Sequence, residues 1–323
     1  MIATAAAAGL LGLAAASAQA QAQQTWPTAP VKFIVPFGPG AGADITARVL
    51  QDKLQAKWGK PVIIDNRPGG DGLVALAAFV GATVPHTLLF AATGSFAVHP
   101  YQHEKLPYDA DKDTLPIARV TNTILGIGVP SSMGVASLEE MVKRIKAEPG
   151  KMNVALVPGI TEFVYDGWLD EQKLSMVKVP YRDIVQAGTD VGEGRIQFMM
   201  ASIAILQPGM QGGRIKLIAT NSATRNDISS GVQTVREAGH PSLEFDGLVG
   251  LLGPRVMSRE LREEIGRAVV AAAREPDVAQ RLLATAQAVN PGGPAEFAAS
   301  MKAQNDQVAS IAKRLGIPRK VKP

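Results

Sequence analysis

The sequence contains no cysteine, and this absence removes several kinds of chemistry at once. Without thiols, the chain has no disulfide bonds, no thiol nucleophile and no cysteine-ligated metal site. The absence also suits an oxidising compartment, in which unpaired thiols are a hazard.

Aromatic residues and net charge are also scarce. Phe, Trp and Tyr make up 5% of the 323 residues, and the formal net charge is +4. A nucleic-acid surface needs basic stripes and aromatic platforms on which bases stack, so this composition argues against a nucleic-acid partner. The hydrophobic fraction of 46% predicts well-filled cores instead, and the length allows two domains of ordinary size.

Long hydrophobic runs are missing beyond the N-terminus, where residues 1–22 are rich in Ala and Leu. This segment is too short to span a bilayer, and it closes on the small-residue patterns Ala18-Gln-Ala20 and Ala20-Gln-Ala22. Such a segment is typical of a cleaved secretory signal. We therefore expect a signal peptide over residues 1–22 and export to the periplasm.

The most informative segment, residues 31–58, predicts a strand, a turn and a helix. Residues 31–35 are rich in β-branched and aromatic side chains, and Asp44 is predicted to cap a helix that ends near Trp58. Glycine lets a ligand approach the main chain, and the first N–H groups of a helix have no intrahelical partner. The turn is therefore predicted to bind a carboxylate or phosphate. Its glycines are Gly38, Gly40 and Gly42.

Two other interpretations of this turn stay open. Gly38, Gly40 and Ala43 match the G-x-G-x-x-G/A spacing of a dinucleotide site, with Asp65 where a ribose-binding acid is expected. An NAD(P)-dependent oxidoreductase is therefore an alternative function, although Pro39 in the turn and the predicted export argue against it. In the other interpretation, the glycines only allow a tight strand-to-helix connection.

The alternation of strands and helices continues along the chain. Small-residue junctions follow two further predicted strands, at residues 66–72 and at Thr93-Gly94-Ser95. In an open parallel sheet such junctions meet at the carboxyl ends of the strands, where ligands bind. A second α/β unit is predicted between Met152 and Thr220, and the helices predicted over residues 258–315 are expected to pack on an earlier sheet.

Other candidate chemistry is weaker. His99 and His103 stand four residues apart, but Pro100 makes a regular helix doubtful and no His-Glu-x-x-His is present, so we predict a surface loop and no metal site. Tyr181 and Arg182 follow a predicted strand, where Arg182 could clamp a carboxylate and Tyr181 could wall the pocket. Alternatively, Arg182 is a surface residue beside an N-capping Asp183.

Six segments in a fixed order resemble one family, the Bug (TctC-type) family, whose members are the extracytoplasmic substrate-binding proteins of tripartite tricarboxylate transporters. The segments cover nearly the whole mature chain, and the first two are the most specific. They are Val35-Pro-Phe-Gly-Pro-Gly-Ala-Gly-Ala-Asp44, Asn66-Arg-Pro-Gly-Gly-Asp-Gly72, Leu106-Pro-Tyr-Asp109, Val179-Pro-Tyr181, Gly194-Arg-Ile-Gln197 and Val235-Arg-Glu-Ala-Gly239.

The resemblance implies a fold and a function. The fold is an α/β periplasmic binding protein of the type II-like, Venus-flytrap kind, with two α/β domains joined by two crossing strands. Domain 1 would comprise residues 25–122 and 245–323, and domain 2 residues 123–244. The protein would not be an enzyme and would need no cofactor. It would capture a small carboxylate and deliver it to the membrane permease subunits of the transporter, whereas a solute sensor that feeds a signalling partner stays an alternative.

The resemblance also implies which residues hold the ligand, largely through main-chain N–H groups and ordered waters. Near Ser202, and at Glu162 and Phe163, the sequence departs from the family, so the identity of the substrate is not carried over. We further expect a monomer. The implied ligand-binding residues are Phe37, Pro39, Gly40, Ala41, Gly42, Ala43, Asp44, Thr93, Gly94, Ser95, Gly159, Ile160, Thr161, Tyr181, Arg182 and Ser202.

Overall fold

The computed structural model describes residues 26–321 except 83, 157–158, 182–183, 223–224 and 226–228. The predicted signal peptide and Arg182 therefore lie outside the described residues, and their predicted roles stay predictions. Within the described ranges, no helix has the length and the apolar character needed to cross a membrane.

The strands and helices alternate along the chain as the sequence predicts. The strands are β1 (Val31–Val35), β2 (Val62–Asn66), β3 (Thr87–Ala92), β4 (Leu115–Thr123), β5 (Leu125–Pro130), β6 (Asn153–Leu156), β7 (Val177–Pro180), β8 (Phe198–Ser202), β9 (Ile215–Thr220), β10 (Leu248–Gly253) and β11 (Gln287–Gly292). The helices are α1 (Gly42–Trp58), α2 (Leu73–Val80), α3 (Gly94–Gln102), α4 (Ala110–Asp113), α5 (Leu138–Ala147), α6 (Ile160–Gln172), α7 (Ile184–Gly192), α8 (Ile203–Gln211), α9 (Arg259–Ala273), α10 (Pro276–Ala284) and α11 (Pro294–Leu315).

These strands form two sheets, which confirms the prediction of two α/β units. The six-stranded sheet has the order β11-β4-β10-β3-β1-β2, and the five-stranded sheet has the order β7-β6-β8-β5-β9. Strands β1, β2 and β3 are parallel, as are β6, β7 and β8, whereas β4, β5 and β10 pair antiparallel to their neighbours. We call the six-stranded sheet with its helices the first lobe, and the five-stranded sheet with its helices the second lobe.

The chain crosses between the lobes in two places. Residue Ile124 alone separates β4 of the first lobe from β5 of the second, and the chain returns between β9 and β10. The N–H of Thr123 donates to the carbonyl of Gly247 at 2.8 Å, which joins the outgoing segment to the returning one. A Cβ on Gly247 would lie 2.5 Å from the Thr123 carbonyl oxygen, so only glycine permits this close approach.

The buried side chain of Asn221 joins the same two crossing segments by hydrogen bonds. Its side-chain oxygen accepts from the N–H of Leu125 at 2.9 Å, and its side-chain nitrogen donates to the carbonyl of Phe245 at 2.7 Å. The residue is 3% exposed, so both main-chain groups depend on it rather than on water. Asn221 lies just after β9, outside the strands and helices, and no local sequence pattern predicts this role.

The C-terminal helix α11 contacts both lobes. Phe297, near its start, packs in the core of the first sheet, whereas Val308 and Ile311 belong to the core of the second lobe. At Gly167 of α6 the helices are in close contact, because a Cβ there would lie 3.0 Å from Ile311 Cγ2. The prediction that the C-terminal helices pack back onto an earlier sheet is confirmed. In addition, α11 continues past the first sheet and packs on the second lobe.

Several local predictions were wrong. Ala41, not Asp44, is the N-cap of α1, because the helix begins at Gly42. The region of His99 is helix α3 rather than a surface loop, and Pro100 lies inside that helix. The edge strand β11 was missed, because its sequence Gln-Ala-Val-Asn-Pro-Gly lacks an alternating pattern.

Candidate functional site

A cavity of about 240 Å³ lies between the two lobes. Its wall includes the glycine turn that precedes α1, the first residues of α3 and the first residues of α6. These segments follow β1, β3 and β6, so the cavity lies at the carboxyl ends of parallel strands from both sheets. The predicted site residues that line it are Phe37, Ala41, Gly42, Ala43, Gly94, Ser95, Ile160 and Thr161.

The N-terminus of α1 forms one wall of this cavity. Within the described residues, no hydrogen bond occupies the backbone N–H groups of Gly42 and Ala43, whereas the N–H of Ile45 already donates to Ala41. The helix is 17 residues long, so its dipole adds a partial positive charge at this end. This wall therefore offers donors and a positive potential to an anion without a charged side chain.

Asp44 supports that wall from behind. Its carboxylate is buried and accepts hydrogen bonds from the N–H of Gly40 at 2.9 Å, from Arg48 Nε at 3.0 Å and from Asn66 Nδ2 at 2.9 Å. Burial alone would raise the pKa of Asp44, but the hydrogen bonds from Arg48, Gly40 and Asn66 outweigh it and hold that pKa below its ordinary value. Asp44 thus fixes the conformation of the turn and does not line the cavity.

Asp71 also lines the cavity, and it is a residue that the sequence prediction missed. Its Oδ1 accepts from Ser95 Oγ at 2.9 Å, and its main-chain oxygen lies 3.1 Å from Nε2 of the fully buried His99. The other nitrogen of His99 lies 2.9 Å from the hydroxyl of Tyr108. Asp71 lies in the predicted small-residue junction at residues 66–72, but Asp is common in turns, so the local sequence does not distinguish it.

The two lobes touch at the edge of the cavity. A Cβ on Gly94 would lie 2.5 Å from Cγ2 of Ile160, which belongs to the other lobe. Gly159 of the second lobe has a φ of 116°, and a Cβ there would lie 3.4 Å from Ser95 Oγ of the first. The structure therefore presents the lobes closed on each other, with small residues on both sides of the contact.

Seven other predicted site residues that the structure describes do not line the cavity. Thr93 is buried and donates to Gln304 Oε1 at 2.9 Å. The hydroxyl of Tyr181 donates to Asp190 at 2.5 Å, and burial together with this bond raises the pKa of Tyr181 to about 12. The others in this group are Pro39, Gly40, Asp44, Gly159 and Ser202, and for all seven a part in ligand binding stays a prediction.

The geometry does not favour the dinucleotide interpretation. Asp65, the proposed ribose-binding acid, lies 3.0 Å from Arg67 and 3.9 Å from Lys32, and it does not line the cavity. Another cavity, of about 450 Å³, lies beside Trp58 at the opposite end of α1 from the glycine turn. In the part of the chain that the structure describes, no group of three or more His, Asp or Glu side chains is arranged to hold a metal ion.

Known proteins resemble this chain in both sequence and fold. The chain is 27% identical to a UPF0065 protein of Bordetella bronchiseptica over 85% of this chain and 81% of that protein. A solved structure described as a periplasmic transporter is 26% identical and superimposes with a TM-score of 0.81, covering 90% of this chain and 99% of the other. An R. palustris protein solved with adipate is 23% identical, also with a TM-score of 0.81, over 90% of this chain and 99% of that chain.

The similarity to these structures confirms the predicted fold of a two-lobed periplasmic binding protein. The match to a family model extends over residues 46–316, and therefore includes strands of both lobes and most of α11. The chain belongs to the tripartite tricarboxylate transporter receptor family, known as the TctC family.

Proposed function

We propose that this chain is an exported, non-catalytic solute-binding protein of the periplasm. It captures a small carboxylated metabolite between its lobes and delivers it to the membrane permease of a tripartite transporter. The observation that carries this proposal is the N-terminus of α1, where Gly42 and Ala43 line the cavity between the lobes and their N–H groups have no partner among the described residues. Family membership and the adipate bound to the R. palustris protein support the same function.

The cavity suits a carboxylate for a physical reason. A helix N-terminus carries the equivalent of about half a positive charge, and its free N–H groups point toward an anion. Hydrogen bonds from N–H groups to a carboxylate are charge-assisted and stronger than neutral ones. In the proposed complex, the N–H groups of Gly42 and Ala43 hold one carboxylate of the ligand from the first lobe, while Ile160 and Thr161 enclose it from the second.

Capture then follows from a shift between open and closed lobes. Only the closed arrangement lets both lobes contact one small molecule, so the ligand stabilises that arrangement in proportion to its contacts with the second lobe. A permease that binds the closed arrangement more tightly than the open one would receive loaded protein in preference to empty protein.

Isothermal titration calorimetry of the purified protein against a panel of di- and tricarboxylates tests the proposal. We expect binding of at least one organic acid, accompanied by a smaller radius of gyration in solution scattering. NADH and NADPH serve as controls. Binding of a nicotinamide nucleotide with no binding of any organic acid would overturn the proposal in favour of the oxidoreductase alternative.

Uptake measurements test delivery separately from binding. Deletion of the gene is expected to abolish uptake of the bound acid by intact cells, and loss of the permease is expected to have the same effect. Normal uptake in the deletion strain would show that the protein binds the acid without delivering it.

A further inference from the structure

We propose that the ligand carries an ammonium group in addition to its carboxylate, and that Asp71 recognises this group. The inference rests on the proposed function, because it concerns the ligand of the same cavity. It names the substrate class as amino acids and related amino carboxylates rather than simple dicarboxylates.

The first observation is the charge of the cavity wall. Among the described residues that line the cavity, the ionisable ones are Asp71 and Asp246, and both are acidic. No Lys, Arg or His accompanies them in that part of the wall. The N–H groups of α1 accommodate one carboxylate, but a second carboxylate placed near Asp71 would meet a like charge in a partly desolvated site, which is unfavourable.

The second observation is the state of the Asp71 carboxylate. Its side chain is 14% exposed, so the group is largely removed from water. Ser95 satisfies Oδ1, whereas Oδ2 is buried without any hydrogen-bond partner among the described residues. The ring of His99 lies 3.5 Å from Oδ2, beyond a good hydrogen bond, and Nε2 is already close to the Asp71 carbonyl. A buried carboxylate with an unused oxygen is costly, and a bound cation offsets that cost.

The third observation is the backbone at Asp71. Its φ of 52° and ψ of 36° lie in the left-handed region, between Gly70 with a φ of 56° and Gly72 with a φ of 94°. Glycine adopts this conformation without steric cost, and Asp is one of the few other residues that enter it. The chain therefore keeps a charged side chain at a position that glycine would also suit, and this side chain lies in the cavity wall, where it can contact the ligand.

Paired ligands test the inference. β-Alanine replaces one carboxylate of succinate with an ammonium on the same two-carbon chain, and L-glutamate adds an ammonium to glutarate. Titration calorimetry with the wild-type protein is expected to show tighter binding of at least one amino member than of its diacid partner, by about 10-fold or more. Asp71→Asn keeps an oxygen that can accept from Ser95 but removes the charge. The Asp71→Asn variant is expected to bind the amino ligand about 30-fold more weakly than wild type and to bind the diacid at least as tightly.

Two further variants separate recognition from folding. Asp71→Gly removes the charge and also relieves the backbone, so it is expected to fold at least as stably as wild type while losing the preference for the amino ligand. Asp65→Asn removes an acidic charge of the same lobe outside the cavity and is expected to change neither affinity.

The outcomes for the inference and for the proposed function are distinguishable. Tighter binding of both diacids than of their amino partners, unchanged in Asp71→Asn, would overturn the inference and leave the binding of organic acids intact. Binding of none of these ligands, nor of any other organic acid in the panel, would overturn both.

Discussion

Substitution of Gly94 by alanine tests whether ligand capture requires the lobes to meet. Gly94 is the first residue of α3 and its φ lies outside the left-handed region, so alanine fits the backbone of the first lobe without strain. The obstacle lies on the other lobe, where the new Cβ would be 2.5 Å from Ile160 Cγ2. The substitution therefore opposes the closed arrangement and leaves the open one unaffected.

The size of the effect follows from this distance. Two carbon atoms are in favourable contact at about 3.5 to 4.0 Å, so the added methyl group overlaps Ile160 by about 1 Å or more. Overpacking of this kind costs about 1 to 3 kcal/mol, which corresponds to a loss of affinity of about 5- to 150-fold. Because alanine is favourable in a helix, the melting temperature of the ligand-free protein is expected to stay the same or to rise.

Titration calorimetry and solution scattering, with and without ligand, measure the two consequences. Ile160→Ala removes the methyl group that the new Cβ would strike, so the double variant is expected to regain affinity relative to Gly94→Ala. A double-mutant cycle then isolates the coupling between the two positions. Wild-type affinity and full closure in Gly94→Ala would refute the reasoning.

Three further predictions concern hydrogen bonds outside the cavity that stabilise the fold. Asn221→Ala leaves two buried main-chain groups without their partner, so the free energy of unfolding in urea is expected to fall by about 2 kcal/mol or more; an unchanged value would show that water replaces the side chain. Ser137→Ala removes the N-cap of α5, whose hydroxyl accepts from the N–H of Glu140 at 3.2 Å, and it is expected to lower the free energy of unfolding by about 1 kcal/mol in the same assay. Tyr181→Phe removes the main hydrogen bond that, with Arg195, lowers the pKa of Asp190 from 3.8 to about 2. The native Asp190 carboxylate therefore contributes stability above pH 3.8, and this stability is lost as the pH falls toward 2. In Tyr181→Phe the pKa of Asp190 is expected to rise toward its ordinary value, so this contribution becomes smaller. NMR titration of the Asp190 carboxyl carbon measures the change in pKa.

Regular elements were largely predictable from the sequence, because their patterns are local. Strand β1 has the predicted bounds, and β9 and α11 end at Thr220 and Leu315 as predicted, since composition and periodicity define these elements without help from the rest of the fold. Where tertiary contacts decide the structure, prediction was less successful. Pro100 suggested an irregular loop, yet α3 accommodates it, and His99 in that helix is completely buried.

For the candidate site, the sequence predicted the loops that line the cavity, but it did not predict the key polar side chains Asp71 and Asn221. The glycine turn before α1 and the junctions at Gly94 and Ile160 were predicted to meet, and they do line one cavity. Asp71 was missed because its importance depends on an unpaired oxygen, which no spacing rule reveals. Asn221 was missed for a similar reason, since its partners are distant in sequence.

The close contact between α11 and Gly167 has a consequence for how the molecule moves. Two crossing segments alone would let the lobes swing and also rotate about each other. A third connection, along a continuous helix that packs on both, restricts them to paths in which α11 slides over α6. Gly167 offers Ile311 a surface without a protruding side chain, so small translations there meet little steric resistance.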